Sequence, residues 1–393
     1  MELEVGHYRM RVQNSLSEIG ETVWNDLVRA QEKPTPFLAY AFLHALHESM
    51  CASPQTGWQI QYLSLWLENR LVAAMPLYVK LHSYGEYVFD WAWAHAYHEH
   101  GVRYYPKLLC AIPFTPVEGS RLLARDPVAR QHLLAGLKAF YEAGNYSSSH
   151  ILFPCEAELP TLKAAGFIIR QGHQFHWQNK GFRDFQDFLD SLSMKKRKNI
   201  RAERQSVQKA GISFTHLSGS EIKEAHWAFF KRCYDQTYAA HRSSPYLNLN
   251  FFQRIGATMG EQLLLILAYR DAQPIAASLS FKDETRLYGR YWGCVDYVPC
   301  LHFETAYYQA VEFCIAQKLA VFEGGAQGEH KMARGFLPVS TYSAHILKEA
   351  RFFQAIKAHV EHESGEFEEY KRILTENSAY KRANSDPSLQ KKA

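Results

Sequence analysis

The chain has 393 residues, 47% of them hydrophobic, and a formal charge of +4. That length exceeds one ordinary core and predicts two domains. So mild a net charge implies by itself no nucleic-acid partner, and no apolar run is long enough to span a bilayer. The first twenty residues hold no secretory-type hydrophobic segment, and seven dispersed cysteines without metal-type spacing fit a reducing cytosol. A cytoplasmic protein is therefore expected.

In chain order, the pattern predicts a helix ending near Ala30, a break at Lys33-Pro34-Thr35-Pro36 and a helix from Ala39 to Ser49. Two strands follow, Gln61 to Leu67 and Leu71 to Lys80, separated by the turn-like Glu68-Asn69-Arg70. The alternating aromatics from Tyr84 to Trp93 read as a further strand, leading into a polar loop with His95, His98 and His100. Proline-punctuated residues 106–116 lead to a helix over 127–143 and a strand over 150–153.

A basic helix is expected over 193–209, stopped at Gly211. Its apolar content is thin, so it reads either as a solvated face or as a phosphate contact through Lys196, Arg197 and Arg201. The run Leu263 to Ala268 reads as a buried strand. The spacing then predicts an aromatic strand from Leu287 to Trp292 that breaks at Gly293, and an amphipathic helix from His302 to Leu319. Glu304, Tyr308 and Glu312 form the polar face of that helix. A strand over 320–323 feeds the glycine-punctuated run Gly324 to Lys331. Glycines after a strand let backbone approach a ligand and let N–H groups face an anion. From residue 375 a polar, disordered tail is expected.

The second half repeats the first. Pro36-Phe37-Leu38 with Phe42 and Leu43 matches Pro245-Tyr246-Leu247 with Phe251 and Phe252. Ala73 and Ala276 lie 203 residues apart, and Tyr84-Gly85-Glu86-Tyr87 precedes Tyr288-Gly289-Arg290-Tyr291 by 204. So steady an offset predicts duplication of one α/β unit.

The run Tyr288 to Gly293, His302-Phe303-Glu304, the block Gly325 to Lys331 and Arg334-Gly335-Phe336-Leu337-Pro338 resemble the bacterial FemAB-like family. So do Tyr84 to Trp93, Tyr104-Tyr105-Pro106-Lys107 and Pro113-Phe114-Thr115-Pro116. The family is labelled as predicted peptidoglycan biosynthesis N-acyltransferases of the GNAT superfamily. Met194 to Arg201 is more distantly similar to the basic helix of Fem aminoacyl transferases, which join amino acids from aminoacyl-tRNA to a cell-wall precursor peptide. The resemblance implies an α/β (α+β) fold of two tandem GNAT-like units, each a mixed, largely antiparallel sheet flanked by helices. The units would cover 1–180 and 181–374, with the tail at 375–393. One departure stands out: the loop Gly293 to Cys300 lacks the glycines with which a GNAT enzyme holds the coenzyme A pyrophosphate. The donor is left open between aminoacyl-tRNA, another nucleotide-linked group, and acyl-CoA.

Acyl transfer to an amine needs a proton acceptor, an oxyanion partner and alignment. Glu329 or His330 could accept the proton; Lys331 or Arg334 could balance negative charge. The plain alternative is a surface pair of Glu329 with Lys331. Tyr291 and Trp292 are expected in the pocket wall, and His302 as a cap or ligand contact. Asp90, Trp91 and His95 mark a ligand entry in the first half. His98-Glu99-His100 lacks a third ligand, so no metal is predicted. The expected activity is N-acyl or aminoacyl transfer to a small-molecule or peptide amine, by direct attack in a ternary complex. An acetyl-CoA-dependent acetyltransferase of small metabolites and a non-catalytic GNAT-fold binding module are the alternatives.

Overall fold

A computed structural model of the chain describes residues 2–5, 7–326 and 328–381. They form two compact units. The first comprises the chain up to His173, Ser244–Gly260 and Ser340–Tyr370; the second comprises Gln174–Ser243, Glu261–Val339 and the chain from Lys371. The division differs from a cut after residue 180, because segments 244–260 and 340–370 cluster with the first unit.

Two sheets build the first unit. One is antiparallel throughout, in the order Glu2–Val5, Tyr8–Gln13, Tyr62–Leu67, Arg70–Met75, Leu123–Ala124. The other runs Trp58–Ile60, Leu77–Lys80, Lys107–Cys110, Ser148–Leu152, and then residues 343–347 of the strand Leu337–Leu347. The strand expected over 71–80 is thus divided at Pro76, which has no N–H to give a ladder, and its halves serve different sheets. The helix Pro127–Ala143 is capped by Asp126, whose carboxylate accepts from Ala129 N at 2.8 Å. Its Leu133, Leu137 and Phe140 pack on Leu63, Leu65, Met75, Leu108 and Ile151.

The expected aromatic strand from Tyr84 to Trp93 is not a strand. Gly85 and Tyr87 take positive φ in a turn, and Trp91–Glu99 is a helix. Phe89, Trp91 and Trp93 imitate strand alternation, but the pair that is buried is Trp93 and Tyr97, at helical spacing.

The second unit has one sheet, in the order Ile212–Leu217, Leu263–Arg270, Gln273–Lys282, Arg286–Cys294, Val321–Glu323, then residues 176–178 of the strand Ile168–Gln178. Phe188, Ile200, Ile266, Leu287, Val311, Phe322 and Phe336 fill its core. The helix over 301–316 passes through a π-helical stretch, Glu304–Tyr308. In each unit the sheet contains a parallel pair joined through a helix: 108–110 with 149–151, and 286–288 with 321–323.

The start of the expected disordered tail is ordered. The helix Ala350–Glu376 runs past residue 375, Ala379 is buried, and Tyr380 Oη donates to Gly335 O at 2.8 Å. Apolar and aromatic anchors so near the end of a polar stretch hold it in the second unit. Residues 382–393 of that tail lie outside the described residues.

Candidate active site

In the second unit the parallel ladder stops at Tyr288 and Glu323. The strand Arg286–Cys294 continues, whereas the chain after Glu323 turns away at Gly324 and Gly325, the latter at φ +84°. The two strands therefore part beyond that point. Gly293 does not break its strand. A Cβ there would lie 2.0 Å from Cys233 O, so the glycine lets the helix Glu224–Ala240 lie directly on the strand.

Residues 329–334 form a 3-10 helix, in which consecutive side chains diverge by a third of a turn. Glu329, His330 and Lys331 therefore do not converge, contrary to the expectation of one catalytic cluster. Glu329 is exposed. Lys331 is 1% exposed, and its Nζ donates to Gly325 O at 2.9 Å. Burial, with help from Arg290, lowers its pKa to about 7. His330 sits at the surface with Nε2 at 3.2 Å from Tyr307 Oη.

His302 joins His330 instead. The two rings are 6.2 Å apart, each beside Tyr307, and Trp292 lies 4.6 Å from His302. Burial, then His330, Arg334 and Lys331, push the His302 pKa down to about 4. His330 is lowered by its partial burial and by the same two cations. His302 is therefore neutral at pH 7, and His330 is shifted in the same direction. Tyr291 points to the other face of its strand and packs edge-on against Tyr234 at 5.4 Å, away from Trp292.

Arg334 locks the arrangement. Its guanidinium lies 3.3 Å over the Phe303 ring, donates to His330 O at 2.7 Å and meets Glu203 at 2.7 Å. Glu203 also accepts from Tyr308 Oη. Glu203, Phe303, Tyr307 and Tyr308 escaped the sequence reading of the site. The available signal was the acid Glu203 placed at seven-residue spacing from Lys196 among the cations of the basic helix.

That helix, Met194–Lys209, divides the expected phosphate trio. Lys196 shares the inner face with Ile200, Glu203 and Val207. Arg197 is paired with Asp190 at 2.6 Å, and Arg201 donates to Gln186 at 3.0 Å. Arg201 and Lys198 open onto a groove of about 670 Å³ with Phe185, Leu189 and Gln205, whose lining does not include Lys196 or Arg197. Arg204 is structural: it grips Glu304 at 2.9 Å and Glu312 at 2.8 Å, the polar face of the 301–316 helix.

The first-unit trio does not form one site either. Trp91 and His95 are exposed, His95 beside Glu99 at 3.3 Å, whereas Asp90 is buried. Asp90 accepts from Lys107 at 2.5 Å and from Tyr104 at 2.6 Å. Lys107, fully buried, also reaches Ser83 and Glu86, each at 2.8 Å. Burial alone would raise the Asp90 pKa, but Lys107 and His150 hold it well below the usual range, while burial pushes Glu86 up to about 7. The chain of contacts continues from Tyr104 to His150 at 3.3 Å and from His150 to His345, Nδ1 to Nδ1, at 2.7 Å. Among the described residues no group of three or more potential ligands is arranged for a metal.

The sequence matches a family model, FemAB-like, described as peptidoglycan biosynthesis/recognition, over residues 15–382. The chain belongs to the FemAB-like family. Its fold is similar to that of FemX, with a TM-score of 0.55 and 12% identity over 86% of this chain and 98% of that one. The C-terminal domain of a putative lysylphosphatidylglycerol synthetase from Agrobacterium fabrum gives a TM-score of 0.51 at 10% identity, over 86% of this chain and 95% of that one. The structure of L-PGS from Bacillus licheniformis gives 0.50 at 10% identity, over 90% and 99%. At such identities the likeness establishes the tandem α/β fold alone. No curated protein matches in sequence. Among the described residues of this FemAB-like chain, no helix is long and apolar enough to cross a membrane.

Proposed function

We propose that this FemAB-like protein is an N-acyltransferase whose second unit moves an acyl or aminoacyl group to a primary amine on a cell-wall precursor or peptide. The observation that carries the reading is the pair of imidazoles, His302 and His330, set around Tyr307 beside Arg334 where two parallel strands part. His330 takes the proton of the acceptor ammonium. The freed amine attacks the donor carbonyl directly; a C–N bond forms, and the ester or thioester bond breaks as the leaving group takes a proton. Arg334, buried beside His330, acts on the negative charge that develops on the carbonyl oxygen through its field rather than by contact. No covalent enzyme intermediate is needed, and burial raises the nearby Cys294 and Cys300 thiols above their ordinary range, which disfavours a thiolate nucleophile.

The donor we favour is aminoacyl-tRNA or another nucleotide-linked group, with phosphates drawn to Arg201 and Lys198 at the groove. The loop before the 301–316 helix counts against acetyl-CoA: it lacks the phosphate-holding glycines and carries an acid, Asp296, held by Arg270. The test is turnover of aminoacyl-tRNA with a lysine-containing peptide acceptor. His330→Gln should cut turnover by about a hundredfold or more, the usual scale of general-base catalysis, with acceptor binding kept. Tight calorimetric binding of acetyl-CoA would favour the acetyltransferase instead. Ligand binding without turnover of any donor would make the protein a binding module.

A further inference from the structure

A closed circuit of contacts runs past His330, and its acid comes from the basic helix Met194–Lys209. Glu203 Oε1 accepts from Arg334 Nη2 at 2.7 Å, while Oε2 accepts from Tyr308 Oη. Arg334 Nη1 donates in turn to His330 O at 2.7 Å, and His330 Nε2 lies 3.2 Å from Tyr307 Oη. Tyr307 and Tyr308 are consecutive in the π-helical stretch Glu304–Tyr308, so their hydroxyls leave it in different directions and reach the two ends of the link. Single π-helical turns of this kind recur at functional sites. The other acids of the neighbourhood are engaged elsewhere or wet: Arg204 grips Glu304 and Glu312, and Glu329 is exposed. Glu203 is thus the carboxylate that offsets the buried Arg334 guanidinium, whose side chain is only 7% exposed.

We propose that Glu203, on the reading of His330 as the base of acyl transfer, is a positioning residue. Through Arg334 it holds the 329–334 turn so that the imidazole presents a ring nitrogen to the acceptor ammonium. Its charge also moderates the field of Arg334 at that imidazole. The groups that face the imidazole are Lys331 and Arg334 on its own turn, both of which lower its pKa, with Glu329 exposed beside it. His302 and Tyr307 face it from the 301–316 helix. Glu203, reached through Arg334, is the acid that the basic helix adds. Contact and charge therefore act together: the carboxylate fixes the guanidinium in place and limits how strongly it opposes protonation of His330.

The experiment titrates the His330 ring by NMR of the full chain with isotope-labelled histidine, assigned with His330→Gln. It runs beside turnover of aminoacyl-tRNA with a lysine-containing peptide. Glu203→Gln keeps an acceptor for Arg334 and removes only the charge, so the His330 midpoint should fall by about half a unit or more. Arg334→Gln should raise it, and the acid limb of kcat/KM should move with the midpoint in both variants. Glu203→Ala, which loses the contact as well, should lower kcat by about tenfold or more, with the acceptor KM kept. Tyr308→Phe leaves the charge on Glu203 but frees one of its oxygens; it should lower kcat without moving the titration, and it serves if a Glu203 variant does not fold. Parent kcat in both Glu203→Ala and Tyr308→Phe overturns the proposal, as does a His330 midpoint that Glu203→Gln leaves in place or moves up. An inactive His330→Gln beside fully active Glu203 variants sinks this proposal alone. Normal turnover by His330→Gln sinks the general-base reading and the positioning role with it.

Discussion

Lys107 is the residue on which most of the first unit's buried charge depends. It is fully buried against Glu86 and Asp90, so Lys107→Met leaves two carboxylates without their cation. Breaking a buried pair in that way costs about 3–5 kcal/mol, measurable as a lower urea midpoint. Neutralising the partners as well, with Glu86→Gln and Asp90→Asn, should recover much of the loss. Acid should destabilise the protein through its histidines. Burial lowers His47, His150 and His176 to about 3 and His302 to about 4. The unfolded chain therefore binds protons that the native state refuses, and stability falls as pH drops from about 6.5 toward 4, the ordinary histidine value being the upper limit. His302→Gln should flatten that slope in urea titrations at stepped pH; an unchanged slope would mean that His302 is already protonated in the native protein. Lys331 acts at the other end: with its pKa lowered to about 7, stability rises with pH from there toward the ordinary lysine range. Lys331 and Arg334 were legible in the sequence because glycines flank them. Glu203 and the His150–His345 pair were not, since the two histidines lie 195 residues apart and long-range contacts leave no periodic trace.

The duplicated hairpin is the element that sequence conveyed best. In the first unit Leu65 pairs with Ala73, the register slips, and Trp66 pairs with Leu71. In the second, Ala268 pairs with Ala276, the register slips, and Tyr269 pairs with Pro274. Every one of these positions is displaced by the same 203 residues, bulge included, which supports duplication of the unit. Bulges of this kind re-aim a strand and are built in rather than accidental. The aromatic match between 84–87 and 288–291 carries no such equivalence, because it sets a turn against a strand; side-chain composition survived there while backbone did not. The helices led by the two Pro-aromatic-Leu turns do correspond, and they meet in the first unit through the Phe42 and Phe251 rings at 5.6 Å. Gly293→Ala tests the other element-scale contact. Its Cβ would press on backbone, the Cys233 carbonyl, and backbone cannot rotate aside as a side chain can. Overpacking of this kind costs about 1–3 kcal/mol or more, and a thermal midpoint equal to the parent's would show that the helix Glu224–Ala240 shifts freely.

At the scale of the whole molecule, neither unit is contiguous. The first takes a helix from 249–259 and the strand residues 343–347 from the second half of the chain, and the second takes strand residues 176–178 from the first half. A fragment ending at residue 180 should therefore not fold, which circular dichroism and amide-proton dispersion would reveal; a cooperative melt of that fragment would contradict the division. Hydrophobic periodicity located the strands but could not show which sheet each one joins, because pairing is decided by edges far apart in sequence. The same interleaving has a consequence on the ribosome. When His173 has been made, the edge of Ser148–Leu152 that will receive residues 343–347 has no strand to cover it, and the chain must grow to Tyr370 before the unit is complete. At about 5–20 residues per second, that wait is on the order of 10–40 s. An uncovered edge of this kind invites pairing with neighbouring nascent chains. Yield in the cell should thus depend on chaperone supply and on translation speed through the second half of the message more than on the stability of the finished protein.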